Sequence, residues 1–174
     1  MESVNVVNAV YLMESSTAFD LLWLHYNLMD TTYYQGKPHM LKWKLPTNGK
    51  TVQIFPSHKI QIIGKVSRDE VEAMYHTIVS ELRQALDEPS LTVTRPKLCT
   101  MTLTAKLPFK PNLHRNVCNK QFSYEPELFP AAILSYWSPM KVILFPSGHI
   151  NITGVKQESN VPAILTSLTS MFQP

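Results

Sequence analysis

Two stretches decide how this chain is read: Ile54-Phe55-Pro56-Ser57-His58-Lys59-Ile60-Gln61-Ile62-Ile63-Gly64 and Leu144-Phe145-Pro146-Ser147-Gly148-His149-Ile150-Asn151-Ile152-Thr153-Gly154. Six of the eleven positions are identical at an offset of 90 residues, and most of the others are similar in kind. Self-similarity at a fixed spacing marks a duplicated structural unit. In each copy β-branched residues flank a Pro-Ser-x turn, so residues 52–54 with 59–63, and 142–145 with 149–153, read as two equivalent hairpins.

The offset persists on both sides. Downstream, Val71, Met74, Ile78 and Leu82 answer to Val161, Ile164, Leu168 and Phe172; upstream, Tyr34 answers to Tyr124, and His39 falls opposite Phe129. Ser67-Arg68-Asp69-Glu70 is a capping box, followed by an apolar stripe of Val71, Met74, Tyr75, Ile78, Val79, Leu82 and Leu86, which predicts a helix. The matching helix opens at Ser159 and holds Pro162 in its first turn, where no intrahelical donor is lost. Each half begins with a strand, at residues 5–13 and 99–104. A helix is predicted over about residues 17–29 with Ser16 as its cap; its counterpart, residues 110–117, is shorter and contains Pro111.

The order expected in each unit is β-α-β-β-β-α, an α+β fold divided into residues 1–92 and 93–174. A sheet with its helices on one face leaves the other face open. Two such units side by side form one curved antiparallel sheet, with helices on the convex face and function on the concave one.

The bulk composition narrows the classes. With 44% hydrophobic and 17% charged residues the chain is globular rather than disordered. Its net charge of +3 permits a polyanionic partner without requiring one. The two cysteines, Cys99 and Cys118, form no CxxC pair, and the opening residues lack a basic leader, so a reducing intracellular compartment is expected. No apolar run approaches the roughly 18 residues of a membrane span. No Walker or dinucleotide fingerprint is present, and the 5 glycines against 13 prolines argue against a phosphate loop. His114 stands four residues before Cys118, a spacing open to a thiol or metal site, but no second ligand pair accompanies it. No enzyme activity, metal or cofactor is expected.

The run Tyr124-Glu125-Pro126-Glu127-Leu128-Phe129-Pro130, an apolar strand, then Phe145-Pro146-Ser147-Gly148 and Ile152-Thr153-Gly154, resembles the second repeat of the TATA-box-binding proteins. Val7-Asn8-Ala9-Val10 followed by Phe19-Asp20-Leu21 resembles the opening strand and helix of the same family. The resemblance covers nearly the whole chain. It implies a saddle seated on the minor groove of AT-rich, double-stranded promoter DNA, bending it by inserting phenylalanines between base steps. Carried over, the wedge pair of the second half is Phe129 and Phe145. Phe55 is one of the first-half pair, and the other falls on or near His39. Periodicity alone would make these phenylalanines core residues; their place at turn tips beside proline argues for exposure.

The resemblance further implies that Asn8 donates to groove acceptors, with Thr100 as its counterpart. Thr153 faces the groove, and Ile63 holds the matching first-half place. Val10 and Ile143 complete the DNA-facing strands, while Gln53, Gln61 and Asn151 stand where the family has apolar residues. Lys42 and Lys44 lie near the phosphate-neutralising places of the first half, and Lys141 and Lys156 are the local cations of the second. Few rim charges imply weak or partner-dependent binding, and a polar face implies a looser preference for TA-rich steps. Glu125, Glu127 and Leu128 form the stirrup that would dock a transcription factor IIB-like protein and so recruit RNA polymerase.

Two functions therefore stand open. One is a general transcription initiation factor, in the nucleus or at a site of viral transcription. The other is a protein-interaction module of a transcription complex with weak or no TATA-box binding. An unoccupied concave face also allows pairing with a second copy.

Overall fold

Alternation along the chain builds both hairpins. In Lys59–Gly64 (β5) Ile60 and Ile62 are fully buried, while Gln61 and Ile63 point to the opposite face and are half-buried. Thr51–Ile54 (β4) alternates the same way, with Val52 and Ile54 inside. The two pair antiparallel through Val52 with Ile62, Gln53 with Gln61 and Ile54 with Ile60. The twofold period of extended chain sorts these residues onto two faces. The turn closes with the Phe55 N–H donating to the Lys59 carbonyl at 2.9 Å.

The second copy runs between Lys141–Leu144 (β9) and His149–Val155 (β10) and closes with the same bond, Phe145 N–H to the His149 carbonyl at 2.9 Å. Both turns need a left-handed residue, His58 at φ 56° and Gly148 at φ 87°. At Gly148 a Cβ would meet the Phe109 carbonyl oxygen at 2.7 Å, so glycine is required there by space as well as by conformation.

The computed structural model of the chain describes residues 4–116 and 120–173. It divides into two compact units: Asn8–Cys99, and the chain from Thr100 onward together with the N-terminal residues through Val7. In the first, Asn5–Glu14 (β1), Thr31–Tyr34 (β2), Met40–Lys44 (β3), β4 and β5 lie in the antiparallel order β2-β3-β4-β5-β1, with helices Leu21–Asn27 (α1) and Arg68–Leu86 (α2). In the second, Lys97–Lys106 (β6), Phe122–Ser123 (β7), Ala132–Leu134 (β8), β9 and β10 lie in the order β6-β10-β9-β8-β7, with one helix, Val161–Phe172 (α3). The buried stripe of α2 (Val71, Met74, Ile78, Leu82) and that of α3 (Val161, Ile164, Leu168, Phe172) each complete a core with the inward strand residues. Each such side chain taken from water contributes about 1.5–3 kcal/mol. Among the described residues no helix is long and apolar enough to cross a membrane.

Four details differ from the sequence reading. Each unit holds five strands, one more than expected, because the short Thr-Thr-Tyr-Tyr segment pairs with β3 as an edge strand (β2) and Phe122–Ser123 (β7) pairs in the same way with β8. The first helix begins at Leu21 rather than residue 17, and its cap is Asp20, whose carboxylate accepts the Leu22 and Trp23 N–H groups at 3.0 Å each. Ser15 and Ser16 are already engaged elsewhere: their N–H groups donate to the His58 and Thr92 carbonyls at 2.8 Å each, and Ser16 Oγ accepts the Thr92 N–H. The counterpart helix of the second unit is a single 3₁₀ turn, Leu113–Asn116, just after Pro111, which cannot donate to a helical ladder. The expected end of that helix at Val117 lies outside the described residues. Likewise α3 starts at Val161, after a 3₁₀ turn at Glu158–Asn160 that takes up Ser159.

The predicted capping box is present: Ser67 Oγ accepts the Glu70 N–H at 3.2 Å, and Glu70 Oε2 accepts the Ser67 N–H at 2.8 Å. The Ser67 backbone N–H first, and its hydroxyl second, hold the Glu70 carboxyl below its ordinary value. A lowered folded-state pKa contributes stability above the ordinary glutamate range, and that stability is lost as pH falls through the folded value. Ser67→Ala is expected to cost about 1 kcal/mol near neutral pH. Glu70→Ala removes the carboxylate that accepts the Ser67 N–H, so in urea titrations its gap from wild type should narrow at pH 3; a gap that stays constant would contradict the reciprocal cap.

Candidate nucleic-acid interface

The strand face opposite the buried one carries the candidate residues in both units. In the first, the pairing register lines up Leu12, Gln61, Gln53, Lys42 and Thr32 in one row across β1, β5, β4, β3 and β2. Val10 and Ile63 pair in the adjoining row, and Asn8 lies two residues before Val10 on the same face. Apart from exposed Thr32, all these side chains are half-buried. Lys44, paired with Thr51, is exposed at the edge of this face.

The second unit repeats the row with Thr104, Asn151, Ile143, Ile133 and Ser123 across β6, β10, β9, β8 and β7. Thr153 pairs with Lys141 and donates its hydroxyl to the Lys141 carbonyl at 3.4 Å. Thr100 and Thr102 lie further along the same face of β6, half-buried. The two faces thus share a frame and differ in chemistry. The centre of the first row is two amides and an ammonium, whereas that of the second is an amide and two isoleucines.

The phenylalanines are at the turns. Phe129 ends a tight turn in which the Leu128 and Phe129 N–H groups both donate to the Glu125 carbonyl at 2.9 Å. Its ring is 40% exposed and meets Phe145, half-buried at the β9–β10 turn, with centroids 6.4 Å apart and planes at 57°. Leu128 projects into solvent, 81% exposed, with Glu125 and Glu127 exposed beside it. Phe55 is half-buried at the β4–β5 turn.

The ladder corrects one alignment. Lys42 pairs with Gln53 as Ile133 pairs with Ile143, so the step from β3 to β4 is one residue longer than the step from β8 to β9. Upstream of it the offset is 91, not 90. Counting back from Lys42, the residue matched with Phe129 is Pro38 rather than His39, and Tyr124 is matched by Tyr33 rather than Tyr34. The aromatic contacts agree: His25 stacks on Tyr33 with centroids 6.2 Å apart, and His114 meets Tyr124 edge-on at 5.1 Å. His39 is exposed and bonds to the Tyr33 hydroxyl through Nε2 at 3.0 Å.

Lys42 Nζ lies 5.1 Å over the Tyr34 ring, and Lys42 and Lys44 line a shallow depression with Thr32 and Thr51. Lys141 and Lys156 are exposed in the second unit. Among the described residues no three His, Cys, Asp or Glu side chains cluster as a metal site; Cys118, the partner considered for His114, lies outside them. The sequence alone does not single out Leu12, Thr102, Thr104 or Ile133. Strict alternation out from Val10 and Thr100 finds the first three, and strand pairing with Ile143 finds Ile133.

The family model described as "Transcription factor TFIID (or TATA-binding protein, TBP)" matches residues 3–85 and 95–174, once in each half. The chain belongs to this family. The TATA-box-binding protein of Methanothermococcus thermolithotrophicus is 28% identical over 98% of this chain and 94% of its own length. That of Methanocaldococcus jannaschii is 28% identical over 95% and 91%. The solved structure "Methanococcus jannaschii TBP" superposes with a TM-score of 0.81 at 27% identity, covering 97% of each chain. The fold class is therefore the TBP fold expected from the sequence.

If Phe129 and Phe145 are surface groups rather than core, their loss should barely affect folding. Phe122→Ala, whose ring is buried against Phe172 at 5.9 Å, is expected to cost about 3–5 kcal/mol. Phe129→Ala should cost less than about 1 kcal/mol, with Phe145→Ala between the two. Thermal denaturation of the three variants checks the order.

Proposed function

We propose that this protein is a general transcription initiation factor whose open sheet faces bind promoter DNA in the minor groove. The observation that carries this reading is the Phe129–Phe145 pair, two apolar rings meeting at turn tips, the first exposed and the second half-buried. Rings so placed can act as apolar wedges: inserted between base steps they unstack the duplex and bend it toward the major groove. In the same unit Ile143, Thr153 and Thr100, and in the first unit Val10, Ile63 and Asn8, present half-buried, uncharged side chains on the open strand faces. Such a surface suits sugar edges and the sparse acceptors of a minor groove. The names of the relatives, TATA-box-binding proteins, support the same assignment. Phe55 serves as the single wedge phenylalanine of the first unit, and Lys42 and Lys44 neutralise phosphates at its edge.

The stirrup has a separate task. Leu128, 81% exposed just after Glu125 and Glu127, is an apolar anchor beside two carboxylates. It fits a basic groove on a transcription factor IIB-like protein, through which RNA polymerase is recruited. The polar row Gln61-Gln53-Lys42 favours the second reading, in which the surface serves protein contacts and DNA affinity is low. Duplex binding by the isolated protein separates the two.

A fluorescently end-labelled AT-rich duplex should shorten its end-to-end distance when the protein binds at low salt. Phe145→Ala should bind with most of the affinity but without most of the bend. Lys42→Ala/Lys44→Ala should flatten the log–log salt dependence of binding by about 2, near one unit for each phosphate no longer neutralised. An unbent duplex at low salt, with or without the partner, would end the DNA reading. For the stirrup, Leu128→Ala is expected to abolish the supershift given by a factor-IIB-like protein while leaving duplex binding unchanged. Loss of both together would contradict separate surfaces.

A further inference from the structure

Gln53 and Gln61 face each other across β4 and β5 on the open face of the first unit. Both are half-buried. Among the described residues neither carboxamide hydrogen-bonds to the protein, and no buried side-chain N or O atom is left without a partner, so the amide heads remain accessible. A glutamine amide offers one acceptor oxygen and two N–H donors. Two of them side by side, bonded neither to each other nor to their surroundings, hold both kinds of group ready for a ligand on this face. In the second unit Asn151 and Ile143 occupy the matching pair, with Ile133 next in the row where the first unit has Lys42.

We infer that the Gln53–Gln61 pair lets the first unit accept a G·C base pair where the second unit, through Ile143 and Ile133, requires A·T. The inference rests on minor-groove binding as proposed above. In that groove A·T and T·A pairs show only acceptors, and a G·C pair adds the guanine N2 amine, a donor. Isoleucine cannot take that bond, and pressing an apolar side chain onto the amine leaves a buried donor unpaired, which is costly. A glutamine Oε1 accepts from the amine, while Nε2 donates to a neighbouring N3 or O2. The same carboxamide serves an A·T pair through its donors alone. Asn151 leaves one amide in the second unit, but it is a methylene shorter and is flanked by Ile143 rather than by a second amide.

The consequence is directional. On a site made only of A·T pairs nothing here distinguishes the two orientations. A single G·C pair in either half of the site draws the first unit onto it, so the protein turns to accommodate it. G·C pairs in both halves cannot both be accommodated.

Competition binding on an AT-rich duplex and its substituted derivatives tests this, with inosine·C as the control that lacks only the N2 amine. One G·C pair in either half should weaken binding less than about threefold, and one in each half at least about tenfold, the lower end of what a wrong base pair costs. Inosine·C in both halves should bind like A·T. In Gln53→Leu/Gln61→Leu the first G·C pair should already cost about tenfold relative to that variant's own affinity for the all-A·T duplex. In Ile133→Gln/Ile143→Gln the double G·C site should be regained. Additive penalties from each half in wild type, or G·C tolerance surviving in the leucine variant, would overturn the inference while leaving minor-groove binding intact. No binding to the all-A·T duplex by the wild-type protein would overturn both.

Discussion

The structure depends on the alternation of its strands against one buried layer. Ile60, Ile62, Ile150 and Ile152 are fully buried, and extended chain then forces Gln61, Ile63, Asn151 and Thr153 onto the other face. A slip of one residue would bury the glutamines and expose the isoleucines, so the register is strongly specified. Both hairpin turns support it with the same closing hydrogen bond, from Phe55 to Lys59 and from Phe145 to His149. A face that cannot join the core is left half-buried and unpacked, and that face is the one available for function.

Duplication supplied the frame twice, and the copies have diverged where packing does not constrain them. Buried positions remain apolar in both units, as Val52, Ile54, Val142 and Leu144 show. The open rows have separated in chemistry: Gln61, Gln53 and Lys42 against Asn151, Ile143 and Ile133. On a duplex, whose groove has near-twofold symmetry, such differences between the two faces would give the proposed complex its direction.

Much of this is legible in the sequence because local rules and tertiary structure agree there. The hairpins follow from β-branched residues around Pro-Ser-x, and α2 from its capping box and apolar stripe; both stand where expected. The failures lie where distant residues decide. Nothing near Ser15 and Ser16 shows that His58 and Thr92 hold them, which delays α1 until Asp20 can cap it. Matching Phe129 with His39 assumes one constant offset. The extra residue between Lys42 and Gln53 is invisible until strand pairing shows it, and it moves the match to Pro38. The side-by-side placement of Gln53 and Gln61 is likewise hidden in the sequence, although each glutamine stands out there by itself.

Dimethyl sulfate probing of a bound AT-rich duplex tests whether the open faces sit in a minor groove, because the reagent methylates adenine N3 in the minor groove and guanine N7 in the major groove. With guanines placed in the flanks and the site in the centre, adenine N3 should be protected across the site while guanine N7 stays reactive. Protection of N7 with N3 left open, or no protection at either position under conditions where the duplex is bound, would contradict minor-groove seating.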